Sequence, residues 1–413
     1  MKHTFTALIF LLLSASWSPA QWVVQHNPSF AQTISSLRFY DANTGYHTTS
    51  LFNGSNFNIY KTTNGGLNYS AQNSGYTSQR FMSIWIIHPD TVFISGNYGK
   101  IIRTYNGGNN WVTVNSDTLI QYWGLQFVNS STGFAAGSFG KIIKTVNKGD
   151  NWTTLNTGVT AALDGLWFLD ENTGYAGGST VIMKTTNSGD TWTLQQGIFS
   201  SFETATAIVF RDQNTGYYAT NAGRIVKTTN GGNNWSEVHF NSGIAVWGLS
   251  FTNDNTGYGC RSDGTVLKTT DAGNSWGVQN TPLTENLYEI SFPNAQTGYI
   301  GAWSGKVLKT TNGGLTFIGE SESLAPDSFS IWQIFPNPFN PETKITYSLA
   351  DERALRISVH DVAGREVAVL FNDVAGAGRG EIIWNAGGLS AGIYLVRFSD
   401  GRGTSVKRAL LLK

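Results

Sequence analysis

Cysteine is almost absent: Cys260 is the one such residue in 413. A disulfide framework and any cysteine-based metal cluster are thereby excluded, and Cys260 reads as a small core residue within a strand rather than a nucleophile. Charge is scarce as well, at 13% of the residues, with 27 Lys and Arg balanced by 27 Asp and Glu. A chain with no basic excess lacks the phosphate-neutralising charge of a nucleic-acid binder. Long hydrophobic runs are missing too. The apolar stretch at residues 5–13 falls well short of the ~20 residues that span a bilayer. It follows Met1, Lys2 and His3 and precedes Ser18, Pro19 and Ala20, the order of a secretory signal peptide covering 1–20. With only 9 Pro but 47 Gly, 14 Trp, 16 Tyr and 24 Phe, the composition suits many short strands joined by tight turns.

Self-similarity organises most of the chain. A phrase Thr-x-Asn-x-Gly-x-x-aromatic recurs seven times, centred on Asn64, Asn106, Asn147, Asn187, Asn230, Asp271 and Asn312 and ending at Tyr69, Trp111, Trp152, Trp192, Trp235, Trp276 and Phe317. The aromatics are spaced by 42, 41, 40, 43, 41 and 41 residues, and Lys or Arg precedes each Thr. Upstream lies a companion phrase, as in Phe127 followed by Thr132-Gly133-Phe134 and Phe168 followed by Thr173-Gly174-Tyr175. No window sustains a 3.6-residue apolar period, and each repeat divides into about four short strands. Four antiparallel strands per 40–45 residues is the arithmetic of a propeller blade. The expected fold is all-β: a seven-bladed β-propeller over 21–324, a Pro-rich linker at 325–341, and a small Ig-like β-sandwich over 342–413. The strand at Trp22 resembles the outer strand of other repeats and is expected to complete the seventh blade, whose own copy ends on Phe317.

The repeated phrases read as scaffold. Their Asn or Asp oxygen accepts backbone N–H groups inside a hairpin turn, the Gly takes a conformation closed to other residues, and the aromatic packs beside the hairpin. The basic residue ahead of each Thr reads as solvated or turn-bonding. These copies resemble the Asp-box or BNR repeats of sialidases, sortilin-type receptors and, most closely, the photosystem II assembly and stability factor family. The resemblance covers about residues 22–320 and implies a propeller that binds rather than catalyses, with assistance to a membrane complex as an alternative. A sialidase would need three converging arginines, a Tyr–Glu nucleophile pair and an Asp acid/base. The propeller holds six Arg in all, Arg103 standing at the repeated basic position, and neither Glu203 nor Asp164 stands at a spacing that suggests a retaining pair. A glycosidase is therefore the weaker alternative, and no catalytic residue is assigned.

Segments that differ between copies lie at the opposite end from the repeated turns, which places the candidate binding surface there. It comprises Tyr76, Arg80, Tyr98, Tyr122, Phe139, Phe199, Phe202, Arg261 and Trp303, because aromatics and Arg dominate interface energetics; packing of loops onto the blades is the competing role. His26, His47, His88 and His239 fall at different repeat positions, so neither metal nor cofactor is expected.

Residues 336–341, Pro-Asn-Pro-Phe-Asn-Pro, open a segment of alternating strands at 344–349, 355–360, 366–371, 381–384, 392–398 and 405–412. Together with Val359-His360-Asp361, Gly364-Arg365-Glu366, Trp384, Gly392 and Tyr394, and the closing Leu410-Leu411-Leu412-Lys413, this resembles the type A C-terminal sorting domain of the type IX (Por) secretion system. His360 stands where Tyr is usual. The resemblance implies that Gly364, Arg365, Gly392 and Tyr394 belong to a sorting motif, that the type IX machinery is a partner, and that the protein is secreted or held on the outer-membrane surface. The remaining expectations are an unidentified protein or glycan partner, no nucleic acid, no transmembrane segment and a monomer.

Overall fold

The computed structural model describes residues 22–28, 32–50, 59–76, 79–117, 119–314, 330–349, 351–362, 364–400 and 404–412. The expected signal peptide and the end of the seventh repeat lie outside them. The chain divides into two units, Met1–Leu315 and Thr316–Lys413.

Seven four-stranded antiparallel sheets make up the first unit. Blade 3 is typical: Tyr122–Phe127, Gly133–Gly137, Ile142–Thr145 and Thr153–Leu155 pair in sequence order. The first strands of successive blades touch one another around the ring, blade 7 against blade 1 included. Closure comes from the N-terminus. Val23–His26 pairs with Val307–Thr310 as the outer strand of blade 7, Val23 opposite Lys309, as the resemblance of the Trp22 segment to the other outer strands suggests. Ring closure of this kind leaves few exposed sheet edges.

The companion phrase explains how blades pack. In six blades the Gly beside the Thr faces the ring of a Phe six residues earlier. A methyl on Gly133 would lie 2.7 Å from Phe127, and one on Gly216 2.3 Å from Phe210, so no side chain fits there. The aromatic after the Gly then stacks on the Phe of the following blade: Phe134 on Phe168 and Tyr175 on Phe210 at 3.6 Å, and Tyr299 of blade 7 on Phe39 of blade 1 at 3.4 Å. The Trp of the repeated motif meets the same Phe edge-on, as Trp192 meets Phe168 at 6.0 Å. In blade 7 that place is taken by Trp22, edge-on to Phe292 at 5.9 Å and 1% exposed. The N-terminal strand therefore supplies the aromatic of the missing partner as well as its backbone.

The second unit is a sandwich of a three-stranded sheet (Ser330–Phe335, Glu342–Leu349, Gly378–Asn385) and a four-stranded one (Arg353–Asp361, Glu366–Ala375, Gly392–Ser399, Thr404–Leu411). Its core gathers Phe339, Ile357, Trp384, Val396 and Phe398. Here the structure departs from the expected linker. Ser330–Phe335 pairs with Glu342–Leu349, and the Pro-dense turn between them is sewn to the last strand. Phe339 donates its N–H to Leu410 and accepts that of Leu412, at 2.9 and 2.8 Å. Its ring, 2% exposed, lies 4.9 Å from Trp384. Proline removes backbone donors, which reads in sequence as extended chain; the apolar ring between the prolines is what anchors this segment.

Trp22→Ala is expected to cost about 3–5 kcal/mol of propeller stability, the range for emptying a buried indole, read by chemical denaturation; an unchanged midpoint would show that blade 7 closes without it. His47, buried in blade 1, has its pKa lowered from 6.5 to about 3 by burial, with His26 adding to the fall. The unfolded chain therefore takes up this proton first. Stability is intact above pH 6.5 and declines below it, by about 2 kcal/mol at pH 5, and His47→Leu should flatten that slope.

Candidate functional site

The two ends of the propeller differ in what their side chains do. At one end lie the repeated turns. In blade 2, Thr104 Oγ1 donates to Asn106 Oδ1 at 2.9 Å and accepts the N–H of Gly108 at 3.0 Å, while Asn106 Oδ1 accepts the N–H of Asn110 at 2.9 Å. The Thr–Asn or Thr–Asp bond is present in all seven copies. The preceding basic residue proves turn-bonding, but on the next blade. Lys61 reaches the carbonyl of Gly107 at 2.9 Å, Lys184 that of Gly231 at 2.9 Å, and Lys309 closes the ring on Gly65 at 3.1 Å. Tyr175 donates to the same Gly231 carbonyl, and Tyr299 to the carbonyl of Ala42, in the turn between the first two strands of blade 1. This end spends its polar groups on holding blades together, which is the scaffold role.

At the other end, the turn between the second and third strands is tied to the chain entering the first strand. Asn97 donates its N–H to Arg80 O at 3.0 Å, and its Oδ1 accepts the N–H of Arg80 at 2.9 Å. Ser138 and Asn221 repeat the arrangement with Gln121 and Thr204. In blade 7 the equivalent residue is Trp303, whose backbone keeps the bond to Asn286 at 2.9 Å but whose side chain cannot cap. Tyr98 and Phe139, the second turn residues of blades 2 and 3, hold φ values of 54° and 56°, a left-handed conformation that bulky residues rarely adopt, and they are 50% and 68% exposed.

A β-bulge recurs near the start of every first strand, between Ile34 and Ser36 in blade 1 and between Leu287 and Glu289 in blade 7. The residues left over are Ser35, Met82, Trp123, Asp164, Thr206, Trp247 and Tyr288, all half-buried. Flanking positions repeat from blade to blade, but these do not. Trp247 and Tyr288 lie 5.7 Å apart, and Tyr288 and Trp303 5.9 Å, so three aromatic rings run from the blade 7 turn onto blade 6. Burial raises the Tyr288 pKa, and the Arg80 guanidinium acts against that rise.

Further along the first strands, the Arg38 guanidinium lies 3.7 Å over the Trp85 ring. Burial brings its pKa down to about 10, with Glu289 opposing the fall. Glu289 is itself pushed up to about 7 by burial, against the pull of Arg38. Asp164 rises to about 6 through burial alone.

Of the nine residues read from sequence as the binding surface, Arg80, Tyr98, Phe139 and Phe202 are exposed and Trp303 is 37% exposed. Two are not on the surface. Tyr122, 1% exposed, opens a first strand just before its bulge and packs into the blade 3 core. Arg261, 2% exposed, ends a second strand and pairs with Asp263 at 3.0 Å. Tyr76 and Phe199 are half-buried: Tyr76 packs near Phe81, and Phe199 stacks on Tyr218 at 5.2 Å. Sequence reading missed Trp247 and Tyr288; their signal is the aligned bulge position, visible only once the strand register is known. Among the described residues no group of three or more potential metal ligands occurs, although His26 and His47, distant in sequence, come within 6.4 Å. Cys260 is fully buried in its strand, and burial raises its thiol pKa. In the second unit, Gly364 (φ 81°) shapes the Asp361–Arg365 turn, Arg365 pairs with Asp361 at 2.7 Å, Gly392 begins its strand and Tyr394 bonds Ser390 O at 2.7 Å.

Comparison with known proteins agrees with this architecture. Residues 333–412 match the secretion system C-terminal sorting domain, and residues 164–335 match the DUF6242 beta propeller domain. No curated protein sequence matches the chain. Among solved structures, YCF48 bound to D1 peptide superposes with a TM-score of 0.59 at 18% identity, over 72% of this chain and 98% of that one. YCF48 from Cyanidioschyzon merolae gives 0.56 at 18% identity, over 70% and 98%. PorZ, a bacterial surface component of the type-IX secretion system of Porphyromonas gingivalis, gives 0.56 at 13% identity, over 92% of this chain but only 59% of PorZ. A sorting domain implies export to the cell surface or beyond through the type IX machinery. The chain is thus a seven-bladed β-propeller followed by a secretion system C-terminal sorting domain.

Proposed function

We propose that this protein is a non-catalytic binding propeller, displayed on or released from the outer-membrane surface, that engages a protein or glycan through the end opposite its repeated turns. The carrying observation is the aromatic run Trp247, Tyr288 and Trp303, in which Trp303 stands where blades 2, 3 and 5 place a capping Asn or Ser. The left-handed Tyr98 and Phe139 extend the same end, and strained backbone of this kind gathers at functional sites. Exposed or half-exposed aromatics with Arg80 among them are the chemistry of interface hot spots.

The arginines argue against a sialidase. Arg103 pairs with Asp150, Arg211 with Asp254, Arg224 with Glu203 and Arg261 with Asp263, while Arg38 sits on Trp85; each is occupied, and they are spread over blades 1, 2, 5 and 6. Glu203 also accepts the N–H of Ser200 at 2.6 Å, a structural commitment. The raised carboxylates Asp164 and Glu289 do not perturb one another, unlike a pair of acid and nucleophile sharing one site. A second reading, assistance to a membrane complex, draws on the likeness to a propeller solved with a bound peptide.

Affinity capture from native outer membrane and medium tests the reading. Alanine at Trp247, Tyr288 and Trp303 together is expected to weaken retention of the captured partner by at least about a hundredfold, as removal of hot-spot aromatics does. Retention unchanged by the triple substitution would move the site elsewhere. Deleting residues 330–413 should leave the propeller in the periplasm of a secretion-competent host, and surface display of the truncated chain would refute the delivery role.

A further inference from the structure

The seven blades serve as controls for one another, and blade 1 departs from the rest. Its second strand, Gly45–Ser50, is wholly buried, and carries His47 where the aligned strands place Ile94, Ala135, Ala176, Tyr218, Gly259 and Ile300. Thr49 follows at a position that is Gly in blades 2, 3 and 4 and Thr in blade 5. His47 is 2% exposed, and its Nδ1 has no hydrogen-bond partner among the described residues; the same holds for the Tyr69 hydroxyl, whose ring lies 4.5 Å from that of His47. The imidazole is not needed to fold a blade, since six others manage without it, whereas the Tyr69 position carries an equally unmet Trp Nε1 in blades 2–6. Each unmet buried polar atom costs about 1–3 kcal/mol.

Beside them is a cleft of about 280 Å³ between the N-terminal strand and blade 1, lined by His26, Asn27, Gln32, His47, Thr49 and Tyr60 with Pro28 and Gly305. Its size is at the small end of ligand sites. Among the described residues the lining holds three rings but no Asp, Glu, Lys or Arg, and burial lowers the pKa of both histidines. A charged ligand would find no countercharge, and a purely apolar one would leave His47 Nδ1 unpaired. Thr49 Oγ1 donates to Gln32 Oε1 at 2.8 Å, which leaves the Gln32 amide N–H groups and a Thr49 lone pair as further hydrogen-bonding capacity.

We propose that this cleft binds an uncharged pyranose, free or as the end residue of a glycan. The rings of His26 and Tyr60 meet its C–H faces, and Asn27, Gln32, His47 and Thr49 pair with its hydroxyls. Because the cleft joins the closing strand to blade 1, a bound sugar favours the closed ring and raises thermal stability. The inference is independent of the aromatic run on blades 6 and 7, so failure of either leaves the other standing.

The test uses the full chain and methyl glycosides of glucose, galactose, mannose and N-acetylglucosamine. At least one is expected to bind saturably with a dissociation constant of about 10 mM or tighter, to raise the unfolding temperature, and to shift the imidazole resonances of His26 and His47 but not of His88. Thr49→Val and Gln32→Leu should each weaken binding about tenfold, the loss of one good hydrogen bond, with the unliganded unfolding temperature retained in at least one of them. An oligosaccharide bound more tightly than its monosaccharide identifies a glycan end as the source; equal affinity identifies the free sugar. Absence of saturable binding by all four glycosides, binding untouched by both substitutions, or tighter binding of adenosine or sialic acid would overturn the proposal.

Discussion

A phenyl ring lying flat beneath a glycine is the contact on which the propeller depends. Phe168 shows its three functions together: it occupies the space where Gly174 would carry a side chain, receives Phe134 of the preceding blade on its face at 3.6 Å, and receives Trp192 of its own blade at its edge. The contact joins within-blade and between-blade packing at one ring. It recurs in six of the seven blades with Tyr or Phe as the upper partner, and the Tyr hydroxyl, where present, goes on to bond a turn of the neighbouring blade. Aromatic geometry of this kind is directional, so a repeat of nearly constant length produces a constant angular step and a ring that closes.

Closure makes the N-terminal strand a structural debtor to the far end of the chain. Trp22 works in blade 7 as Trp192 does in blade 4, and it also bonds Gln279 of blade 6 at 3.4 Å. The two ends of the propeller sequence are thus held by the same aromatic contact as any two neighbouring blades. The junction carries a cluster of its own: the rings of His26, His47 and Tyr69 crowd together, and no other second strand places an imidazole at the position of His47. The buried, unmet Nδ1 of the His47 imidazole costs stability there.

The functional asymmetry between the ends has a similar origin. Thr, Asn, Lys and Tyr at the repeated turns are consumed by hydrogen bonds to backbone, within the turn or across to the next blade, and have nothing left to offer a partner. At the opposite end one backbone bond suffices to hold the turn, as at Trp303, so the side chains there are released to vary. Trp303 replaces a capping Asn or Ser without disturbing that bond, and the bulge positions range from Ser35 to Trp247. The sorting domain follows the same logic in miniature: Asp361 and Arg365 close a turn, whereas Phe339 carries the fold.

The repeat period, the four strands of each blade, the scaffold role of the turns and the claim of Trp22 on blade 7 were all legible in the amino-acid order, because a spacing of about forty residues and a Gly that tolerates no substitute are properties of local chain geometry. So was the sorting domain, from its Gly, Trp and Tyr landmarks. Local order could not tell which variable residues face solvent. Tyr122 and Trp123 are adjacent, yet one is core and the other half-buried at a bulge, since a one-residue slip in register reverses the face. Nor could it bring His26 to His47, Arg80 toward Tyr288, or Phe339 into the core beside Trp384. Those meetings depend on ring closure and sheet packing, which act between residues that the sequence holds far apart.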